Sequence, residues 1–312
     1  MKPFFSRLTA FMLCMAALLS LTACVQAPAA TTTTPIQAVP STAPTTEPPT
    51  TAAPETTAPP ETTESPIPKV GWVEENGKWY YYSENSVMLT GWLNIGYDWY
   101  YLQDDGSMAI GKLEIDGVTC YFGPDGAQII LVNPWNYVPE GHTVQTVAIN
   151  SWQYVDIKCY DALMEMLDAC RAAGLEPYVA SAYRTHSDQI YLHNNKIQRL
   201  INEGYSEAEA KVLAGTVVAV PGTSEHELGL ALDLVDYSYR NLDEAQENTA
   251  VQKWLMENSW KYGFILRYPN DKSQITGIIY EPWHYRYVGK AAAKEIYESG
   301  LCLEEYLETL GK

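Results

Sequence analysis

Residues 224–233 read SEHELGLALD and residues 281–284 read EPWH. Together they hold two histidines, His226 and His284, and two carboxylates of interest, Asp233 and Glu281. Asp233 lies inside the apolar run LALDLV (230–235). A buried carboxylate is costly unless it meets a cation, a hydrogen-bond donor or a metal ion. Two imidazoles and one carboxylate make a ligand set that zinc accepts, with a fourth position left for water. Zinc in such a set lowers the pKa of that water from about 16 toward about 7. A neighbouring carboxylate such as Glu281 can take the water's proton and later pass it to a leaving amine. The chemistry would be metal-assisted hydrolysis of a peptide bond. By spacing alone, the same residues also read as ordinary core, cap and turn groups.

The elements around these residues decide whether they can meet. In residues 230–235 the leucines fall on one face of a strand, with Ala231 and Asp233 on the other. Gly229 lets the chain bend, so His226 can come beside Asp233. Pro282 is incompatible with a helix interior or an interior ladder position, so residues 277–287 read as an irregular strand or edge. Helical spacing marks Tyr160–Ala173, about Ser187–Asn202, a short helix opened by the capping box Ser206/Glu209, Thr249–Tyr262 closed by Gly263, and Lys290–Ser299. Pro177–Tyr183 and Phe264–Arg267 read as strands. His142, His186 and His193 belong to no motif, and His193 reads as part of a solvated helix face. The expectation is an α+β domain over 131–312, with a mixed sheet and helices beside it.

Three separated motifs carry a resemblance. S-x-H-x-x-G-x-A-x-D at 224–233 and E-x-W-H at 281–284 are joined by SAYRTHSDQ at 181–189. The set resembles the VanY-type D-alanyl-D-alanine carboxypeptidases of the wider hedgehog/DD-peptidase group, over roughly 180 residues. Ala182 stands where that family has Gly, and Thr185 where it has Ser. The resemblance implies zinc bound by His226, Asp233 and His284, with Glu281 as general base. It implies Arg184 as the group that polarises the scissile carbonyl, and Gln189 and Ser224 as holders of the D-Ala end. Trp283 would pack behind the site. The substrate implied is a peptidoglycan stem peptide that loses a terminal D-alanine. An LD-carboxypeptidase or endopeptidase would use the same zinc chemistry. A non-enzymatic wall-binding protein with an inert zinc site is the alternative from another class, and Glu281 argues against it.

The N-terminal half has a different composition. Residues 1–23 carry Lys2 and Arg7, an apolar run and then small residues, as an export signal does. Leu21-Thr-Ala-Cys24 resembles a lipobox, which implies a lipid anchor on Cys24 and an extracytoplasmic, membrane-attached protein. Residues 24–68 are rich in Thr and Pro and too poor in large apolar groups to form a core. Across 69–130 a unit repeats every 20 residues: Gly71-Trp72, Gly91-Trp92, Gly111-Lys112, then WYYY (79–82), WYY (99–101) and CYF (120–122). Aromatic pairs between Gly-containing turns read as stacked β-hairpins. These units resemble the cell-wall-binding repeats of choline-binding and glucan-binding surface proteins. That implies ligand-binding rings at Trp72, Trp79, Trp92 and Trp99, and a partner such as choline-substituted teichoic acid or a glycan. Lys112 and Cys120 depart from the pattern, so the third unit reads as a cap.

The formal charge of −18, from 20 basic and 38 acidic residues, argues against a nucleic-acid partner. Beyond Cys14 in the signal and Cys24, four cysteines remain: Cys120, Cys159, Cys170 and Cys302. None forms a C-x-x-C motif, and spacing does not choose between disulfides and free thiols.

Overall fold

The computed structural model describes residues 68–310. The expected signal (1–23), the lipidation site Cys24 and nearly all of the Thr/Pro-rich segment (24–68) lie outside the described residues. Among the described residues no helix is long and apolar enough to cross a membrane.

Three antiparallel hairpins come first: β1 (Gly71–Glu75) with β2 (Lys78–Tyr82), β3 (Gly91–Ile95) with β4 (Asp98–Leu102), and β5 (Gly111–Ile115) with β6 (Val118–Phe122). The third gains a short strand, β7 (Gln128–Ile129). Asn76-Gly77 and Asp116-Gly117 turn the first and third hairpins with positive φ at both residues. That conformation matches the twist of the flanking strands, and Asn/Asp-Gly adopts it readily. Successive units are stitched together by backbone bonds such as Met108 N to Trp79 O, at 2.7 Å. The third unit, where Lys112 replaces Trp, sits against the C-terminal helix: Lys112 N donates to Leu310 O at 2.8 Å, and its Nζ pairs with Glu308 at 3.0 Å.

A small hairpin, β8 (Thr146–Ala148) and β9 (Tyr154–Asp156), leads into helix α1 (Ile157–Ala172). Asp156 caps α1 by accepting from Lys158 N. The helix buries Cys159, Leu163, Met166, Leu167 and Cys170, one face at helical spacing. Then follow β10 (Pro177–Ser181), α2 (His186–Asn202), α3 (Glu207–Gly215), β11 (Ala231–Asp236), α4 (Ala250–Asn258), β12 (Phe264–Leu266), α5 (Ser273–Thr276), β13 (His284–Tyr287), α6 (Lys290–Ser299) and α7 (Leu303–Thr309). The sheet order is β10-β11-β13-β12, and each of its pairings is antiparallel. Leu228, Leu230, Leu232 and Leu234 meet the α1 face, Val251, Leu255 and Phe264 in one core. The expected α+β class holds, but the sheet is antiparallel throughout rather than mixed.

Two elements differ from the sequence reading. Only His284–Tyr287 of the expected strand 277–287 pairs, because Gly277 is left-handed and Pro282 lacks an N–H. The helix expected to reach Tyr262 becomes a 3-10 turn from Ser259, closed by left-handed Gly263. The β8–β9 hairpin, α5 and α7 carried no signal that was used. All four described cysteines are buried and free.

Gly229 has φ +69, and a Cβ there would stand 2.7 Å from Val144 Cγ1 and 2.9 Å from Asp156 N. It closes the turn that carries His226. Gly229→Ala should therefore destabilise the protein by more than about 1 kcal/mol in urea denaturation.

Candidate active site

Three chain segments supply the site. Residues Glu225–Leu228 form one 3-10 turn, with His226 inside it. Strand β11 carries Asp233, and its register with β13 pairs Asp233 with His284. The irregular segment before β13 carries Glu281. His226, Asp233, His284 and Glu281 are all buried.

The ligating atoms of His226, Asp233 and His284 all lie within 4.8 Å of one another. Asp233 Oδ1 is 3.3 Å from His226 Nε2 and 3.2 Å from His284 Nδ1, yet it has no hydrogen-bond partner. His226 Nδ1 lies 2.7 Å from Ala182 O, which can only accept. The ring proton therefore sits on Nδ1 and leaves the Nε2 lone pair facing Asp233. An orphaned buried carboxylate oxygen flanked by two imidazole nitrogens fits a zinc ion held by these three side chains.

Arg184 completes one wall. Its Nη2 donates to Asp233 Oδ2 at 2.8 Å and its Nε to Ser181 Oγ at 3.0 Å. Gln189, expected to hold substrate, is instead fully buried and away from the cleft. Its Oε1 accepts from Arg184 Nη1 at 3.3 Å and its Nε2 donates to Ala219 O at 2.7 Å. One end of the amide holds the arginine and the other is spent on the Ala219 carbonyl. Ser224 does face the cleft, a cavity of about 390 Å³ that also reaches Tyr268, Trp283 and Leu242. Trp283 thus lines the cavity rather than standing behind it. Leu242, from the segment after β11, and Tyr268, from the segment after β12, form part of its walls.

The titratable groups divide by environment. Burial pushes Glu281 up to about 8, with the nearby Asp233 charge adding to the effect. Burial and the Arg184 charge hold His226 down at about 4. His284 is raised to about 9: burial opposes its charge, but the Asp233 and Glu225 carboxylates facing its two nitrogens outweigh that. Asp233 stays well below the usual carboxylate range because His226, His284 and Arg184 outweigh its burial.

Two histidines outside the motifs are also placed. His193 is buried, not solvated, with Nδ1 2.8 Å from Val218 O. Its helix face is covered by the segment after α3, which helical spacing alone does not reveal. His186 is exposed and pairs with Glu227 at 2.7 Å. Sequence reasoning missed Glu225, Arg267, Arg286 and Glu304, a buried ion network behind His284. Charged residues inside the apolar strands FILR and HYRY were the available signal, the same anomaly that marks Asp233.

In the repeats, Trp72 meets Tyr81 of its own unit and Tyr100 of the next edge-on, at 5.1 and 5.0 Å. Trp92 meets Trp99, Tyr101 and the third unit's Phe122. Trp79, Trp92 and Trp99 keep 42%, 42% and 48% of their surface exposed. Packing between units therefore leaves ring area for a ligand.

The family model described as D-alanyl-D-alanine carboxypeptidase, VanY, matches residues 152–290. A vancomycin resistance D,D-pentapeptidase VanY mutant, solved in complex with Zn(II), is 47% identical. The match covers 57% of this chain and 97% of that one, with a TM-score of 0.53. The chain belongs to the VanY family. A structure of VanYB in complex with D-alanine-D-alanine is also 47% identical, covering 58% and 97%, with a TM-score of 0.54. A D-alanyl-D-alanine carboxypeptidase of Enterococcus faecalis (strain ATCC 700802 / V583) is 47% identical over 182 residues. That match takes in 58% of this chain and 66% of the relative, so the chain spans just under two thirds of the relative's length. The choline-binding repeat model matches residues 70–112 and 89–132.

Zinc must displace any proton on its ligands. In this VanY-family site, the proton to displace is the extra one that His284 holds up to about pH 9. Zinc affinity should therefore rise about tenfold per pH unit from neutrality and flatten above about 9, as read by chelator competition. Before metal binds, that same proton stabilises the fold. The contribution is full below the ordinary histidine pKa of 6.5 and is lost as pH rises through about 9.

Proposed function

We propose that this protein is a zinc-dependent carboxypeptidase that removes terminal D-alanine from peptidoglycan stem peptides. The observation that carries the reading is the meeting of His226, Asp233 and His284 beside Glu281 and Arg184 in one cleft. The names of the VanY relatives supply the bond and the substrate class.

His226, Asp233 and His284 would hold the ion. Bound zinc supplies a Lewis acid for the scissile carbonyl and for an attacking water. Glu281 accepts the water's proton and returns it to the leaving amine. An environment that keeps it near neutrality suits both transfers. Arg184, locked by Ser181, Gln189 and Asp233, presents a fixed positive charge where the carbonyl oxygen gains negative charge. Ser224 offers a hydroxyl on the cleft wall for the D-Ala end.

Residues 131–312 carry the chemistry in this reading and residues 69–130 hold the enzyme on the wall. The exposed indoles of Trp79, Trp92 and Trp99, with Trp72 between two tyrosines, suit a choline headgroup or a sugar face. Binding to an insoluble polymer raises the local concentration of stem peptides. A lipid on Cys24 would fix the same protein to the outer face of the membrane.

Defined penta- and tetrapeptide stems test the reaction. The zinc-loaded protein should release D-alanine from the pentapeptide; release from the tetrapeptide alone would move the assignment to an LD-carboxypeptidase. Glu281→Gln should keep zinc and lower turnover by at least about a hundredfold, and parental turnover would remove its assigned role. Trp99→Ala should weaken retention on choline-bearing walls about tenfold; unchanged retention would reduce the rings to hairpin packing.

A further inference from the structure

His284 has a second nitrogen that the reaction does not use. Its Nδ1 faces Asp233 Oδ1 at 3.2 Å and Glu281 Oε2 at 3.6 Å. Its Nε2 points the other way and is buried without a hydrogen-bond partner. Across from it, at 3.6 Å, lies Glu225 Oε2, which is also buried and unpartnered. One of these atoms can carry a proton and the other can only accept. A movement of a few tenths of an ångström would join them in a hydrogen bond.

The surroundings explain why Glu225 is available for this. Its other oxygen, Oε1, accepts from Arg267 Nε at 2.7 Å and from Arg286 Nη1 at 2.8 Å. Arg267 also grips Glu304 of α7 through two bonds, at 2.9 and 2.7 Å. Arg286 Nη2 donates to Ile130 O at 2.8 Å. Two glutamates and two arginines balance in charge without any contribution from His284. The network therefore accounts for Oε1 and for the anionic state of Glu225, and leaves Oε2 over. His226 supplies a parallel on the opposite side of the site, where Ala182 O fixes its outer nitrogen. Each of the two imidazoles has an acceptor behind it, a backbone carbonyl for one and a carboxylate for the other.

We propose that Glu225 is a positioning residue for the metal centre: its Oε2 takes a hydrogen bond from His284 Nε2–H and fixes the ring with the Nδ1 lone pair toward Asp233 and His226. The proposal rests on the zinc-site reading above. A carboxylate behind a ligating imidazole orients the ring and raises its basicity, and losing such a partner typically costs 10–100-fold in metal affinity. Through Arg267 and Glu304, the same carboxylate ties the C-terminal helix to the site.

Two measurements decide it. In the zinc-loaded parent, ¹⁵N–¹H NMR of the imidazoles should show His284 protonated at Nε2, with a slowly exchanging, hydrogen-bonded proton. In Glu225→Gln, chelator competition on the folded protein should show zinc affinity about 10–100-fold lower, with that proton signal shifted or lost. A fully folded variant with parental zinc affinity would overturn the proposal and leave Glu225 a structural ion-pair residue. A parent whose His284 is unprotonated at Nε2 would overturn it as well, and that measurement stands even if the variant does not fold. A parent that binds no zinc would overturn the metal-site reading itself, which is a distinguishable failure.

Discussion

The structure turns on one buried carboxylate. Asp233 lies on the central part of the sheet, out of reach of water, with Arg184 on one oxygen and two imidazoles beside the other. A lone carboxylate at that depth would be protonated or would unfold the strand. The groups that prevent this come from three separate places: a loop before α2, the turn before β11, and the start of β13. Satisfying Asp233 is thus equivalent to assembling the site. The antiparallel register of β11 and β13 does most of that assembly, because it places Asp233 opposite His284.

The rest of the molecule holds these segments still. The α1 core lies beneath β11, so strand position is set by apolar packing rather than by the polar groups above. Behind His284, the Glu225–Arg267–Arg286–Glu304 network fastens the 3-10 turn, the end of β12, strand β13 and α7 to one another. The repeat array is tied to the same frame. Asp98 of the second hairpin pairs with Lys158 of α1 at 2.8 Å, and the third hairpin bonds to the end of α7. The second and third units thus both meet the C-terminal half, the third through the residue that replaces the repeat's tryptophan.

Much of this was legible in the sequence, for local reasons. Asp233 stood out because a charge interrupts an apolar alternation, and Pro282 marked where β13 could not yet pair. The Asn-Gly and Asp-Gly pairs and the 20-residue period announced the hairpins. What was not legible depends on contacts between segments. His193 has helical spacing compatible with either face, and only the chain after α3 decides that it is buried. Gln189 looks like a free amide until Arg184 and Ala219 claim both its ends. Glu225 and its two arginines lie far apart in sequence, and the charges within FILR and HYRY hint at burial without revealing which partners they meet.

Three neighbouring carboxylates are held in different environments. Glu225, Asp233 and Glu281 are similarly buried, so desolvation pushes all three toward the neutral acid. What separates them is the neighbours that touch each. Glu225 has two arginines and stays far below the usual carboxylate range despite its burial. Asp233 has one arginine and two imidazoles and also stays ionised. Glu281 has no arginine bonded to it, only His284 at 3.6 Å, and rises to about 8. Two ionised carboxylates and one held near neutrality thus arise from one chemical group, sorted by neighbours that the strand register puts in place.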